Sequence, residues 1–316
     1  MKLLSALALA FVAVGCSDGG TSGAPVASSS SSSTSSSSSS STSSSSSSGG
    51  EPDDPLLTAR PYERTVPASY DASKPAPLVM LLHGYTSNAK DQDAYFGISA
   101  LAETKGFLVA LPNGTKDAAG NPFWAATDAC CNFVNAAVDD VAYLRAVLAD
   151  MKLRYAVDPK RVYVVGHSNG GFMSHRLACE LAGEIAAIVS LAGGQFADAT
   201  KCTPSAPVAV LQVHGDQDET VTYEGGVFFG KSYPSAKQTV ATWAAKNGCS
   251  PTLEPARDAL DLERTLAGAE TTVARHACTT GAAELWTIAG GKHVPTFAQP
   301  AWAEAVYSFL DAHPKP

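Results

Sequence analysis

The most informative run in the chain is Arg161-Val162-Tyr163-Val164-Val165-Gly166-His167-Ser168-Asn169-Gly170-Gly171-Phe172-Met173. Residues 161–165 read as a buried strand, the next five match G-x-S-x-G, and Gly171-Phe172-Met173 opens a helix. A strand that turns into a helix so sharply leaves no room for a β-carbon on either flank, so glycine is required there. The serine at the apex is then held in a strained, exposed conformation. The pentapeptide alone is a weak signal, and the strand-turn-helix context makes it specific.

On either side, apolar runs at residues 78–82, 107–111, 185–191, 208–214 and 284–288 read as further strands separated by amphipathic stretches. That is how a parallel sheet covered by helices is written in sequence. Val138, Val141, Leu144, Leu148, Met151 and Tyr155 recur at helical spacing, and residues 239–246 and 302–312 read as later helices. The class is α/β, with one folded domain over residues 56–316. Residues 112–137 form a long loop, of the kind that is functional or pinned by cross-links. Residues 262–266 and 271–276, either side of Gly268, read as a hairpin excursion within residues 249–281.

The 316 residues carry 22 Lys+Arg against 30 Asp+Glu, a net charge of −8. Lys2 and Asp18 cancel within the first fifty residues, so the acidity belongs to the folded part, which argues against a nucleic-acid partner. No apolar run reaches the length of a membrane-spanning helix. Lys2, the apolar residues 3–14 and Gly15-Cys16 follow the order of an export signal. Ala13-Val14-Gly15-Cys16 resembles a bacterial lipobox, with Ala13 departing from the usual leucine. Residues 1–15 are therefore expected to be a lipoprotein signal peptide and Cys16 a lipidated residue, with ordinary cleavage and release as the other reading. Ser17 after Cys16 implies an outer-membrane or cell-surface address, so a membrane is expected as partner only through the lipid. Residues 16–55, with the serine tract 28–48 broken only by Thr34 and Thr42, read as a flexible tether.

Without Cys16, six cysteines remain, which in an exported chain predict three disulfides among fifteen connectivities. Cys249 is expected to pair with Cys278. Adjacent Cys130 and Cys131 do not easily bond each other across a trans peptide, so each is expected to reach a separate partner, Cys179 or Cys202. No CxxC spacing supports zinc.

A serine hydroxyl is a poor nucleophile near neutral pH and needs a base for its proton. Of the seven histidines, His167 adjoins the serine and should point away, while His83 and His214 end strands and read as structural. His175 lies inside the following helix, His276 in the excursion and His313 at the terminus. His293 follows the last strand in the glycine-rich Gly290-Gly291-Lys292-His293, at the edge of the sheet where binding residues collect, and is the expected base. The acid should lie between serine and histidine in the chain. His214-Gly215-Asp216-Gln217-Asp218 offers two, and the form H-G-x-x-D-x-x-V selects Asp218, leaving Asp216 to cap a turn. The N–H of Asn169 is one expected donor to the charge that develops on a substrate oxygen, and the loop His83-Gly84-Tyr85 should supply the other.

Leu81-Leu82-His83-Gly84-Tyr85, Phe123-Trp124 before Asp128-Ala129-Cys130-Cys131, the run from Gly166 to Ser174 and His214-Gly215-x-x-Asp218 together resemble the polyhydroxybutyrate depolymerase and feruloyl esterase family of α/β-hydrolases. The likeness covers about residues 61–312. Lys292 departs from it, since a third glycine is usual there. The resemblance implies an α/β-hydrolase catalytic domain, selects the N–H of Tyr85 as the second donor, and implies ester cleavage through an acyl-serine without metal or organic cofactor.

The polyserine tether and export signal fit attack on an extracellular polymer of either kind. Feruloyl or acetyl esters on plant polysaccharide are the expected substrates, because extracellular polyester depolymerases often carry a separate binding module for which this sequence has no room; poly(3-hydroxybutyrate) or its oligomers are the alternative. A surface carbohydrate-binding protein that has lost catalysis, and a peptidase, are the rivals of other classes. Trp124, with Phe123, either stacks on a phenolic or sugar ring or buries its indole to hold the loop. Asn132 and the pair Asp139-Asp140 need no role beyond a solvated helix start.

Overall fold

A computed structural model describes residues 54–316, and the signal peptide, Cys16 and the serine tract lie outside the described residues. Nine strands form the central sheet: β1 (Glu63–Thr65), β2 (Ala76–Leu82), β3 (Leu108–Leu111), β4 (Val157–His167), β5 (Ala187–Leu191), β6 (Ala209–Gly215), β7 (Leu253–Leu260), β8 (Thr271–His276) and β9 (Ala282–Ile288). Their order is β1-β3-β2-β4-β5-β6-β9-β8-β7. Pairing is parallel from β3 to β9 and antiparallel at both edges. β2, β5 and β6 are buried at every position, which is why they read as unbroken apolar runs: a parallel strand is covered on both faces.

Alternation within each strand splits the core in two. Leu78, Met80, Leu82, Val162 and Val164 face one layer, with α4 (Asp140–Arg154), α5 (Asn169–Glu180) and α6 (Ala236–Lys246). Val79, Leu81, Tyr163 and Val165 face the other, with α2 (Ala89–Phe96), α3 (Ile98–Lys105) and α7 (Ala301–Asp311). A short α1 (Pro55–Ala59) precedes the sheet. No helix among the described residues is long and apolar enough to cross a membrane.

Two expectations about connections are corrected. The arm that pairs with β8 is β7, not residues 262–266, and the hairpin is the edge of the main sheet, because β8 also pairs with β9. Cys249–Cys278 forms as expected, but the other bonds are Cys179–Cys202 and Cys130–Cys131. The expected pairing assumed a trans peptide between Cys130 and Cys131; that peptide is cis, and the two sulfurs meet each other.

The acidic helix start is also not simply solvated. Asp139 caps α4 by accepting from the N–H of Ala142, and Asp140 is fully buried. Its carboxylate accepts from Arg60 Nη1 at 2.7 Å, from the Ala125 N–H at 2.7 Å and from Thr115 Oγ1 at 3.2 Å. Arg60 lies 3.5 Å over the Tyr143 ring. Asp140 thereby fastens the long loop 112–137 to the start of α4 and to Arg60. Asn132 closes the far end of that loop by exchanging two hydrogen bonds of 2.8 Å with the backbone of Ala136.

Removing one partner of a buried pair leaves the other charge and several donors uncompensated. Asp140→Ala should lower the free energy of unfolding by about 3 kcal/mol in urea titrations; a loss below about 1 kcal/mol would show that the carboxylate behaves as a surface group.

Candidate active site

At the end of β4, Ser168 sits at φ 54°, ψ −117°, a conformation that costs energy in a residue with a side chain. A β-carbon at Gly166 would run into the carbonyl of Gly170, and one at Gly170 into those of Leu82 and His83. The Ser168 N–H is held by the carbonyl of Leu191 at 2.8 Å, and its own carbonyl accepts from Phe172 at 2.9 Å as α5 begins. The turn is thus forced from both sides, and the hydroxyl is left facing outward.

His293 Nε2 lies 2.9 Å from Ser168 Oγ, and His293 Nδ1 lies 2.7 Å from Asp218 Oδ2. Three residues far apart in sequence are therefore joined in one hydrogen-bonded line. The other oxygen of Asp218 accepts from the N–H groups of Thr220 and Val221, at 2.8 and 2.9 Å. Burial would raise the Asp218 pKa, but hydrogen bonds from His214 and His293 outweigh it and hold the carboxyl below its ordinary range. Asp216 points elsewhere: its Oδ1 accepts from Gly290 at 2.7 Å and braces the loop that carries His293. Gly215 is a glycine because the two loops cross with its α-carbon against the Gly291 carbonyl, and a β-carbon at Gly291 would run into Ile288. Lys292, the departure from the family pattern, is exposed.

Gly84 abuts Ser168, since a β-carbon there would lie 3.5 Å from that of the serine. The loop of His83, Gly84 and Tyr85 and the start of α5 therefore flank Ser168. A cavity of about 260 Å³ opens over Ser168 and His293, bordered by Tyr85, Gln92, Tyr95 and Val294. Among the described residues no group of three or more His, Cys, Asp or Glu side chains is arranged to hold a metal ion.

Trp124 is not available to stack on a substrate ring. Its side chain is fully buried, as is that of Phe123, and its Nε1 donates to the His83 carbonyl at 3.0 Å. The Asn169 side chain completes the clamp, accepting from the Trp124 N–H at 2.7 Å and donating to the Trp124 carbonyl at 2.9 Å. The same amide contacts Cys130 Sγ at 3.6 Å. Trp124 thus ties the His83 loop and the start of α5 to one loop.

A polar line behind Asp218 was not legible in the sequence. Trp243 Nε1 can only donate, so His175 Nδ1 accepts at 3.0 Å and His175 Nε2 donates to Gln212 Oε1 at 2.9 Å. The Gln212 amide then donates to the Gly193 carbonyl and to His214 Nδ1, at 3.0 and 3.2 Å. This leaves the proton of His214 on Nε2, 2.7 Å from the Val221 carbonyl and 3.4 Å from Asp218 Oδ2. Each tautomer is fixed by the one before it. His167 points away from Ser168, as expected, but its Nε2 lies 2.9 Å from the His293 carbonyl and supports that backbone. His83 donates to the Gly84 carbonyl and accepts from the Gly114 N–H.

Similarity to solved structures agrees with this architecture. An acetyl xylan esterase from Aspergillus awamori superposes with a TM-score of 0.58 at 14% identity, over 78% of this chain and 92% of that one. A thermostable esterase superposes at 0.54 and 14%, over 80% and 59%. The fold is that of an α/β-hydrolase. The sequence model described as esterase PHB depolymerase matches residues 62–243, more than half of the chain, and the chain belongs to that family. Ser168 and Asp218 fall inside the matched stretch; His293 lies beyond it and enters by geometry. The chain is 32% identical over 192 residues to feruloyl esterase B of Piromyces equi, covering 58% of this chain and 35% of that protein. It is 31% identical over 202 residues to feruloyl esterase C of Emericella nidulans, covering 62% and 65%. The chain thus spans between about a third and just under two thirds of the length of these relatives.

Burial pulls three of the site's histidines below their ordinary value of 6.5: His83 to about 4, His167 to about 3 and His175 to about 4. Below pH 6.5 the unfolded chain binds protons that the folded chain refuses, so stability falls as pH drops and the loss levels off only below the folded values. Unfolding near pH 5 should take up about three protons on this account, each worth about 1.4 kcal/mol per pH unit. Urea midpoints between pH 7 and 5 check this; a flat profile would place these rings in contact with water.

Proposed function

We propose that the chain is an exported serine esterase that hydrolyses carboxylic esters, with Ser168 as nucleophile, His293 as general base and acid, and Asp218 as the carboxylate that orients it. The observation that carries this reading is the unbroken line Ser168 Oγ, His293 Nε2, His293 Nδ1, Asp218 Oδ2 at hydrogen-bond distances. Family membership and the esterase relatives support it. As Oγ attacks the ester carbonyl, its proton passes to His293 Nε2. The imidazolium that forms is stabilised by the carboxylate on its other nitrogen. The carbonyl electron pair moves onto oxygen, where the N–H groups of Tyr85 and Asn169 receive it. Collapse of the intermediate expels the alcohol, which takes the proton from His293, and leaves an acyl-serine. Water then repeats the sequence and releases the acid.

Similarity to two feruloyl esterases favours hydroxycinnamoyl or acetyl esters of plant polysaccharide as substrates, and the family description keeps polyhydroxybutyrate as the alternative. Three disulfides favour an oxidising compartment, in keeping with export and lipid attachment at Cys16.

Ser168→Ala should reduce kcat/KM on a soluble ester by about 10⁴-fold or more, and Asp218→Asn far more than Asp216→Asn. Equal loss from the two aspartate variants would refute the assignment of the acid. The ratio of kcat/KM on a feruloylated arabinoxylan fragment to that on a 3-hydroxybutyrate oligomer should be large; a small ratio would transfer the assignment to the polyester, and no turnover on either would sink the esterase reading.

A further inference from the structure

Seven large apolar side chains stand exposed among the described residues, and four of them, Phe133, Val134, Val227 and Phe229, lie on two segments that touch. A fifth, Val294, follows His293 and borders the cavity over Ser168. The first segment is the end of the long loop. The second is a ribbon, residues 226–228 paired with 231–233, whose turn is Phe229-Gly230.

The rings are continuous with the candidate site. Tyr85, at the border of the cavity, meets Phe133 edge to face with centroids 5.6 Å apart. Phe133 in turn lies 4.8 Å from Phe229. Both supports are anchored beside the reacting groups. Phe133 follows Cys131 and Asn132, in the loop that Asn169 clamps through Trp124. At the foot of the ribbon, Phe228 stacks on Tyr233 at 4.7 Å, and the Tyr233 hydroxyl accepts from the Thr222 N–H, four residues beyond Asp218.

Phe229 is the most informative member. Phe229 and Gly230 have φ of 48° and 80°, a two-residue hairpin turn in which both positions take positive φ. Asn, Asp or Gly fits the first position without strain, and a bulky aromatic does not. The ring is also 85% exposed, so it contributes almost no burial in return. Local conformation and solvation both oppose phenylalanine there, and a residue that breaks both rules marks a contact made with something outside the fold.

We propose that Phe133 and Phe229, continuing from Tyr85, form an aromatic rim that binds a planar aromatic ring of the ester substrate and sets a preference for aromatic over aliphatic esters. This rests on the esterase reading above and adds the residues that select among esters. An aromatic ring matches the rim by edge-to-face and offset contact.

The test compares methyl ferulate with methyl butyrate, using the full chain and the variants Phe133→Ala, Phe229→Asn and both together. Asparagine suits the left-handed turn position, so the second variant removes the ring without disturbing the hairpin. The double variant should raise KM for methyl ferulate by about ten-fold or more, with kcat held within about two-fold and methyl butyrate unaffected. Equal losses on both esters, or no change on either, would overturn the rim. So would a loss confined to adsorption on polyester film. Calorimetric titration of methyl ferulate into Ser168→Ala, with and without the two rim substitutions, separates this from the reading it rests on. If the chain cleaves neither ester but its binding of methyl ferulate weakens with the rim substitutions, the rim stands and the esterase reading falls. Unchanged binding overturns the rim whatever the turnover.

Discussion

Gly170 rests against the carbonyls of Leu82 and His83 with no space between them for a β-carbon, and the geometry of the site follows from that approach. It brings the first turn of α5 to the end of β2, so two separate parts of the chain meet beside one hydroxyl. The crossing of Gly215 with Gly291 does the same for the acid and the base on the neighbouring strands. Backbone against backbone is the closest contact that two segments can make, and it admits no rotamer to blur the distances. The hydrogen-bonded line through His293 is as short as it is because two such crossings fix its ends.

Around these crossings the interior is polar in a way that a parallel sheet does not require. His175, Gln212, His214 and Asp218 are all buried, and an unmatched member would be costly there. Each is matched, and the matches run in one sense, from the Trp243 indole toward Asp218. A line of donors in which every proton is assigned by its neighbour holds the carboxylate in one orientation and keeps it charged. His214 shares in this although it never touches the serine.

The parallel core was readable because burial on both faces writes continuous apolar runs, and residues 208–214 differ from β6 by one position at each end. The elbow was readable because only glycine fits its flanks. β7 was not: as an edge strand it is exposed at Glu254, Pro255, Arg257, Asp258 and Ala259, and it carries a proline, so neither apolar alternation nor strand composition survives. The Leu262 side that resembled a strand packs instead as a turn over Glu263 and Glu270. Ser168, His293 and Asp218 were picked out by motif and chain order, and the structure joins those three by hydrogen bonds. Asp140, Asn132 and Trp124 depend on which groups meet across the fold. Residue type alone suggests a solvated carboxylate and a polar loop residue at the first two, and leaves Trp124 open between an exposed ring and a buried one.

The long loop connects these observations. Twenty-odd residues whose ladder is limited to the short pairing of 115–116 with 122–123 carry many backbone donors and acceptors that ladder bonds do not satisfy, and ordering them is costly in entropy. Asp140 takes the Ala125 N–H, while Asn169 takes both polar groups of Trp124. Apolar residues of equal volume at positions 140 and 169 would leave those groups buried without partners. The polarity at both positions is therefore set by the loop. One of them begins α5, so the placement of Phe133 and the placement of the Asn169 N–H are consequences of the same clamp. Loosening it would shift the Phe133 loop and the first turn of α5 together.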